Sequence, residues 1–167
     1  MRRVSAIQPA GEWDSAKSRD QVVLDADERH RRRIVLTGEG GTCVLLDLPH
    51  ATALHDGDGL VLDDGSVVRV VGRPEPLTEI AAADPPALAR LAWHLGNRHT
   101  VVQVVGDRLR IRRDHVLEAM LRQLGAELTA VEAPFEPERG AYGHGAHGNG
   151  GHHHGHDGHQ HGHNHGD

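Results

Sequence analysis

The chain has 167 residues, a formal net charge of −6 and only four aromatic residues, Trp13, Trp93, Phe135 and Tyr142. The acidic balance argues against nucleic-acid binding, and so few aromatic side chains argue against an aromatic-lined catalytic pocket. No apolar run reaches the roughly 18 residues of a membrane span, and the amino terminus lacks the apolar core of a signal peptide. We therefore expect a cytoplasmic protein that binds neither nucleic acid nor membrane.

Residues 1–74 are predicted to form an all-β domain, a small sandwich or barrel. Short β-branched runs are separated by glycine and aspartate turns. The expected strands are Val22–Leu24, Ile34–Thr37, Cys43–Leu46, Leu60–Leu62 and Val67–Val71.

Several polar residues of this region are expected at the surface. The charge run Glu28–Arg33 is read as a solvated strand or turn, with a partner-docking surface as the alternative. His30, His50 and His55 are expected to be surface residues rather than ligands. Cys43, the only cysteine, is expected to be a buried strand thiol.

A change of period follows the segment from Gly72 to Pro76, where two prolines predict a rigid connection that ends regular structure on both sides. Residues 75–139 are predicted to form a second domain with the order β-α-β-β-α-β, the ferredoxin-like arrangement. Asp84 and Asp114 are expected to cap its helices. Gly96-Asn97 is expected to supply the left-handed end of the first helix. The fold class is therefore α+β.

The last 28 residues, 140–167, read GAYGHGAHGNGGHHHGHDGHQHGHNHGD and hold ten of the sixteen histidines. This composition has almost no apolar surface to bury, so we expect a disordered tail. Neutral imidazoles on a glycine backbone can wrap a divalent transition metal, and nickel, copper and zinc all suit them. An irregular spacing, with no run longer than three, argues against a purification tag. The predicted ligands are His144, His147, His152, His153, His154, His156, His159, His161, His163 and His165.

Three histidines of the second domain are candidates for chemistry: His94, His99 and His115. His94 is expected to be structural. His99 follows Gly96-Asn97 on a connection, where an ordinary loop histidine is the alternative to a ligand. His115 follows Asp114, but adjacent helical residues do not face each other. No phosphate loop, C-x-x-C or H-E-x-x-H motif is present, so we expect no enzyme.

Several motifs resemble the UreE family of urease accessory nickel metallochaperones: Trp93-His94-Leu95-Gly96-Asn97-Arg98-His99, Asp114-His115-Val116-Leu117-Glu118, Leu124-Gly125, Phe135-Glu136-Pro137-Glu138 and Gly140-Ala141-Tyr142. Asp47-Leu48-Pro49 and Asp56-Gly57-Asp58 fit the first domain of that family. The resemblance implies Ni²⁺ as the metal, a peptide-binding-like β-sandwich, and a second domain that forms a homodimer. It implies that His99 of both subunits binds metal at the dimer axis. The implied partners are a urease accessory GTPase and the urease apoprotein complex.

The leading hypothesis is a metallochaperone in which the tail collects Ni²⁺ and the His99 pair holds one ion for transfer. His115 is a possible auxiliary ligand, although Arg112 and Arg113 precede it where some family members carry histidines. Zn²⁺ or Cu²⁺ is also expected to bind. The alternative is passive metal storage by the tail, against which two folded domains argue. A prolyl isomerase and a nickel-handling GTPase are disfavoured by the few aromatic residues and by the missing phosphate loop.

Overall fold

The structure is a computed structural model that describes residues 1–140, and this part of the chain is mostly β with two helices and two sheets. The elements, in chain order, are β1 (Arg2–Gln8), a 3-10 turn (Ser15–Lys17), β2 (Asp20–Leu24), β3 (His30–Thr37), β4 (Cys43–Ala53), β5 (Gly59–Leu62), β6 (Val67–Gly72), β7 (Pro74–Ala81), α1 (Pro85–Asn97), β8 (Gln103–Val105), β9 (Arg108–Arg112), α2 (His115–Gln123) and β10 (Glu127–Pro134). No helix within residues 1–140 is long and apolar enough to cross a membrane.

The first sheet has six strands in the order β2-β6-β5-β1-β4-β3. β1 connects its two halves: it pairs in parallel with β4 at Arg2 and Arg3, then antiparallel with β5 after an irregularity between Val4 and Ala6. Side chains from both halves meet in one apolar core, because alternate residues of each strand point to the same side. Its buried members are Val22, Leu24, Leu36, Val44, Leu46, Leu54, Leu60, Leu62, Val68 and Val70.

The second sheet has four strands in the order β10-β7-β9-β8, and every neighbouring pair is antiparallel. Both predicted helix starts are confirmed: Asp84 accepts a hydrogen bond from the Ala87 amide at 2.8 Å, and Asp114 accepts from Val116 and Leu117. The helices pack on the sheet through a second core. Its buried members are Ile80, Leu91, Leu95, Leu109, Ile111 and Leu121.

The prediction that Pro74 and Pro76 end regular structure is wrong. Both lie in β7, which pairs with β10 from Pro74 onward, whereas its pairing with β9 begins only at Leu77. Over this stretch β7 has a neighbour on one side only, so a missing proline N–H leaves the ladder intact. No strand is shared between the two sheets within residues 1–140. The division of the chain into two domains stays a prediction.

Arg29 joins the two sheets, and its burial contradicts the prediction that the whole run Glu28–Arg33 is solvated. Arg29 is 2% exposed, and its guanidinium donates to the Leu24, Leu54 and Phe135 carbonyls, the last at 2.6 Å. It also lies 3.4 Å from the Glu136 carboxylate. A charged group buried this deeply needs an acceptor for each of its donors. The acceptors of Arg29 lie far apart in the sequence, between residues 24 and 136.

Asp20 organises the glycine-rich turn between β3 and β4. Its carboxylate accepts hydrogen bonds from the backbone amides of Gln21, Gly40 and Thr42 at 2.8–3.0 Å. Partial burial opposes ionisation, but these amides outweigh it and lower the pKa of Asp20 to about 2. A Cβ at Gly38 would overlap the carboxylate, which explains the glycine there.

Candidate metal centre

His99 follows the end of α1 in a backbone conformation that is rare for a non-glycine residue. Its φ is +54°, and no other non-glycine residue among the described 140 has a positive φ. Its amide donates to the Gly96 carbonyl at 3.0 Å, and the Thr100 amide reaches back to Leu95 at 3.1 Å. These bonds close the helix end around a left-handed residue.

The helix end also corrects a prediction. Gly96 and Asn97 were expected to provide the left-handed position, yet both belong to α1, and His99 takes that position instead. A β-carbon is unfavourable in this conformation, and glycine would be less strained there. The chain nevertheless has a histidine at this position. Strain of this kind tends to occur at functional sites.

The His99 side chain is exposed and borders an open cavity of about 590 Å³. Val101, Val102 and Val104 form much of its apolar wall. The last described residues, Glu138, Arg139 and Gly140, line the same cavity, and the Glu138 amide donates to the Val102 carbonyl at 2.8 Å. The polypeptide that precedes the histidine-rich tail therefore passes beside His99.

Residues 1–140 do not contain a complete metal site. No group of three or more histidine, cysteine, aspartate or glutamate side chains in this part of the chain converges closely enough to hold an ion. One imidazole is too few for nickel or zinc, which need about four or more ligands. An ion held by His99 would need its other ligands from outside residues 1–140 of one chain.

The other candidate ligands do not join His99 in the described part of the chain. His115 is the exposed first residue of α2, directly after the cap residue Asp114. His94 is half-buried, with its ring edge-on to Trp93 at 5.0 Å between centroids. The ten tail histidines, from His144 to His165, lie outside the described residues.

The surface histidines and the cysteine of the first sheet remain apart from this cavity. His50 and His55 are exposed as predicted, and His30 is half-buried. Cys43 lies in β4, but it is half-buried rather than fully buried. His55 Nδ1 approaches the Glu136 carboxylate at 3.8 Å without a third ligand.

Sequence reasoning missed the polar contacts that hold the segment before the tail. The Glu136 carboxylate accepts the Asp56 amide at 2.8 Å beside Arg29, and the Glu136 amide donates to Gln103. Asp58, 4% exposed, accepts the amides of Ala10 and His55. A motif of alternating aspartate and glycine indicates a turn, but nothing in it reveals partners 48 and 80 residues away.

Comparisons with known proteins identify the family of this chain. A family model described as the UreE urease accessory protein N-terminal domain matches residues 2–72, and its C-terminal counterpart matches residues 75–165. A urease accessory protein UreE from Bradyrhizobium sp. strain BTAi1 is 53% identical over 150 residues, which is 90% of this chain and 72% of that protein. One from Ruegeria sp. strain TM1040 is 58% identical over 128 residues, 76% of this chain and 70% of that protein.

Proposed function

Because this chain belongs to the UreE family of urease accessory proteins, we propose that it is a nickel-binding metallochaperone that captures Ni²⁺ and delivers it to the machinery assembling the urease active site. Its family consists of accessory proteins and not of ureases, so its role lies in urease maturation. Nickel is the cargo of this protein and not a resident cofactor.

One observation carries the proposal. The exposed imidazole of His99, on a strained backbone, borders a cavity that is also lined by Glu138, Arg139 and Gly140, the residues at the start of the histidine-rich segment. A carrier must bind its ion and also release it. A site with few fixed ligands, completed by ligands from other segments, can exchange them one at a time. His99 supplies the fixed ligand in this arrangement.

The proposed second source of ligands is another copy of the chain, in a homodimer. Val101 and Val104, which line the His99 cavity, are 48% and 51% exposed, and Trp93 on α1 is 63% exposed. Apolar side chains exposed this far favour burial against a partner. A two-fold contact over this face places both His99 rings at one axis, where they share one ion.

The proposed third source is the tail, whose histidines collect Ni²⁺ loosely and complete the shell around the His99 pair. Imidazole binds metal only when neutral, so loading weakens as pH falls through about 6.5. Zn²⁺ and Cu²⁺ compete for the same ligands. Storage by the tail alone is the second candidate, and it requires no contribution from His99.

We further infer that the protein is cytoplasmic and transfers its ion to a urease accessory GTPase bound to the urease apoprotein. In this proposal residues 1–74 form a β-sandwich of the peptide-binding-like class. Residues 75–139 form a ferredoxin-like metal-binding and dimerisation domain, which the β-α-β-β-α-β element order and the strand order β10-β7-β9-β8 support. His115 remains a possible auxiliary ligand.

The test is calorimetric titration of Ni²⁺ into the full-length protein and two matched variants, His99→Ala and His115→Ala. Both substitutions remove one exposed imidazole. We expect His99→Ala to lose the tightest site, at one ion per dimer, and to keep most weak sites, while His115→Ala keeps the tightest site. If His99→Ala binds nickel as the wild type does, the tail alone holds the metal and passive storage is the better description.

A further inference from the structure

β3 is an edge strand of the first sheet. It pairs with β4 alone among the strands of residues 1–140, and its other edge faces no strand there. The backbone N–H and C=O groups along that edge can pair with an added strand from another molecule. The pairing with β4 is irregular between Arg31 and Arg33, and it is continuous from Arg33 to Thr37.

Three consecutive arginines, Arg31, Arg32 and Arg33, stand on this strand. All three are exposed, and none forms an ion pair with another residue of the described part of the chain. By contrast, the arginines of β9 pair with Glu79, Glu75 and Asp27. The protein has a net charge of −6, but the three arginines of β3 form a positively charged patch on its surface.

More positive charge lies close to the start of β3. The pKa of His30 is lowered by burial and by the positive charge of Arg139. The pKa of Arg139 is in turn lowered by burial and by the charge of Arg29. Arg139 and Arg29 therefore lie near the start of β3, where Asp27 and Glu136 already offset part of their charge, and the lowered pKa of His30 keeps its ring neutral at pH 7.

The two faces of β3 differ in a way that selects the added strand. Leu36 is 4% exposed and Ile34 packs against the first core, so one face is apolar. Arg33 and Val35 point to the opposite, exposed face. A strand that continues the sheet must therefore present apolar residues on the core side and acidic residues on the outer side.

We propose that β3 is a docking site for an acidic, extended segment of a partner protein, which adds to the first sheet as a further strand. Carboxylates of the segment face Arg31 and Arg33 on the outer side, its alternate apolar residues extend the face of Ile34 and Leu36, and exposed Arg32 adds positive charge at the irregular start of the strand. The competing explanation is that the arginines only prevent edge-to-edge association of the protein with itself. This proposal does not depend on nickel binding.

The test measures fluorescence anisotropy of a labelled peptide of five Glu-Val repeats with the full-length protein in EDTA. Two variants each lose three positive charges. One is Arg31→Gln/Arg32→Gln/Arg33→Gln, and the control is Arg90→Gln/Arg98→Gln/Arg122→Gln. The control arginines are also exposed and make no ion pair within residues 1–140. Two further probes are the same Glu-Val peptide with every backbone nitrogen methylated, which removes all the N–H donors of a strand, and a DNA single strand of ten nucleotides.

We expect the Glu-Val peptide to bind the wild type and the control variant with dissociation constants within about twofold, and the β3 variant at least tenfold more weakly. Binding should weaken as salt rises. The N-methylated peptide should bind at least tenfold more weakly than the unmodified Glu-Val peptide. Equal binding of both peptides, tighter binding of the DNA, or self-association of the β3 variant with unchanged peptide affinity would each overturn the proposal.

Discussion

Replacing His99 with glycine and with alanine separates the cost of its backbone from the value of its side chain. At φ +54° an L-residue costs about 1–2 kcal/mol relative to right-handed backbone, and glycine avoids this cost. Glycine loses roughly 0.5–1 kcal/mol through its greater freedom in the unfolded chain. The net expectation for His99→Gly is a stabilisation of about 0.5–1 kcal/mol.

His99→Ala keeps the β-carbon and therefore keeps the strain. The side chain is exposed and donates no hydrogen bond within the described residues, so this variant should stay within about 0.5 kcal/mol of the wild type. For a chain of this length the glycine variant should melt about 1–4 °C above the alanine variant. Both variants should lose the tightest nickel site equally.

The assay is calorimetric melting of the metal-free proteins in EDTA, followed by nickel titration of the same samples. Metal must be absent during melting, because bound nickel would stabilise only the wild type. A melting temperature of His99→Gly at or below that of His99→Ala would refute the claim that histidine is kept there against a backbone cost.

Three other predictions concern the fold and the tail. Asp20→Asn should destabilise the protein by about 1–2 kcal/mol at pH 7, a value reduced for partial exposure. The pKa of Asp20 lies near 2 in the folded protein and its usual value is 3.8. The stability that the carboxylate contributes is therefore present above about pH 4 and is lost as pH falls toward 2. Urea denaturation curves of the wild type and Asp20→Asn should converge at that low pH. Arg29→Met should cost about 3 kcal/mol or more by chemical denaturation, since three buried carbonyls lose their donor, whereas Arg31→Met should change little. Deleting residues 143–167 should remove roughly two or three nickel ions per chain in equilibrium dialysis, if each ion takes about three to four imidazoles. The melting temperature of the metal-free protein should stay within about 2 °C of the wild type. A large fall in that melting temperature would contradict a tail that buries no surface.

Local chemistry was sufficient to predict the two helices. Asp84 and Asp114 cap α1 and α2 as expected, because a cap residue bonds to amides only two or three positions away. The turn between β8 and β9 depends on local chemistry too, because Gly106 has a φ of +58°, which glycine adopts without strain. The motifs that resembled UreE identified the family and singled out His99.

Residue patterns were enough to predict the family, the helix starts, the order of elements in residues 75–139 and the histidine content of the tail, because each depends on neighbouring residues or on composition. Three features became visible only in the folded chain: the burial of Arg29, the position of Pro74 in a strand, and the contact of Gly140 with the His99 cavity. Arg29 contacts a carbonyl 106 positions along the chain, and β7 pairs with a strand that begins more than 40 residues later. A local sequence pattern cannot predict such long-range contacts, because their energy depends on surfaces that exist only after both sheets have formed.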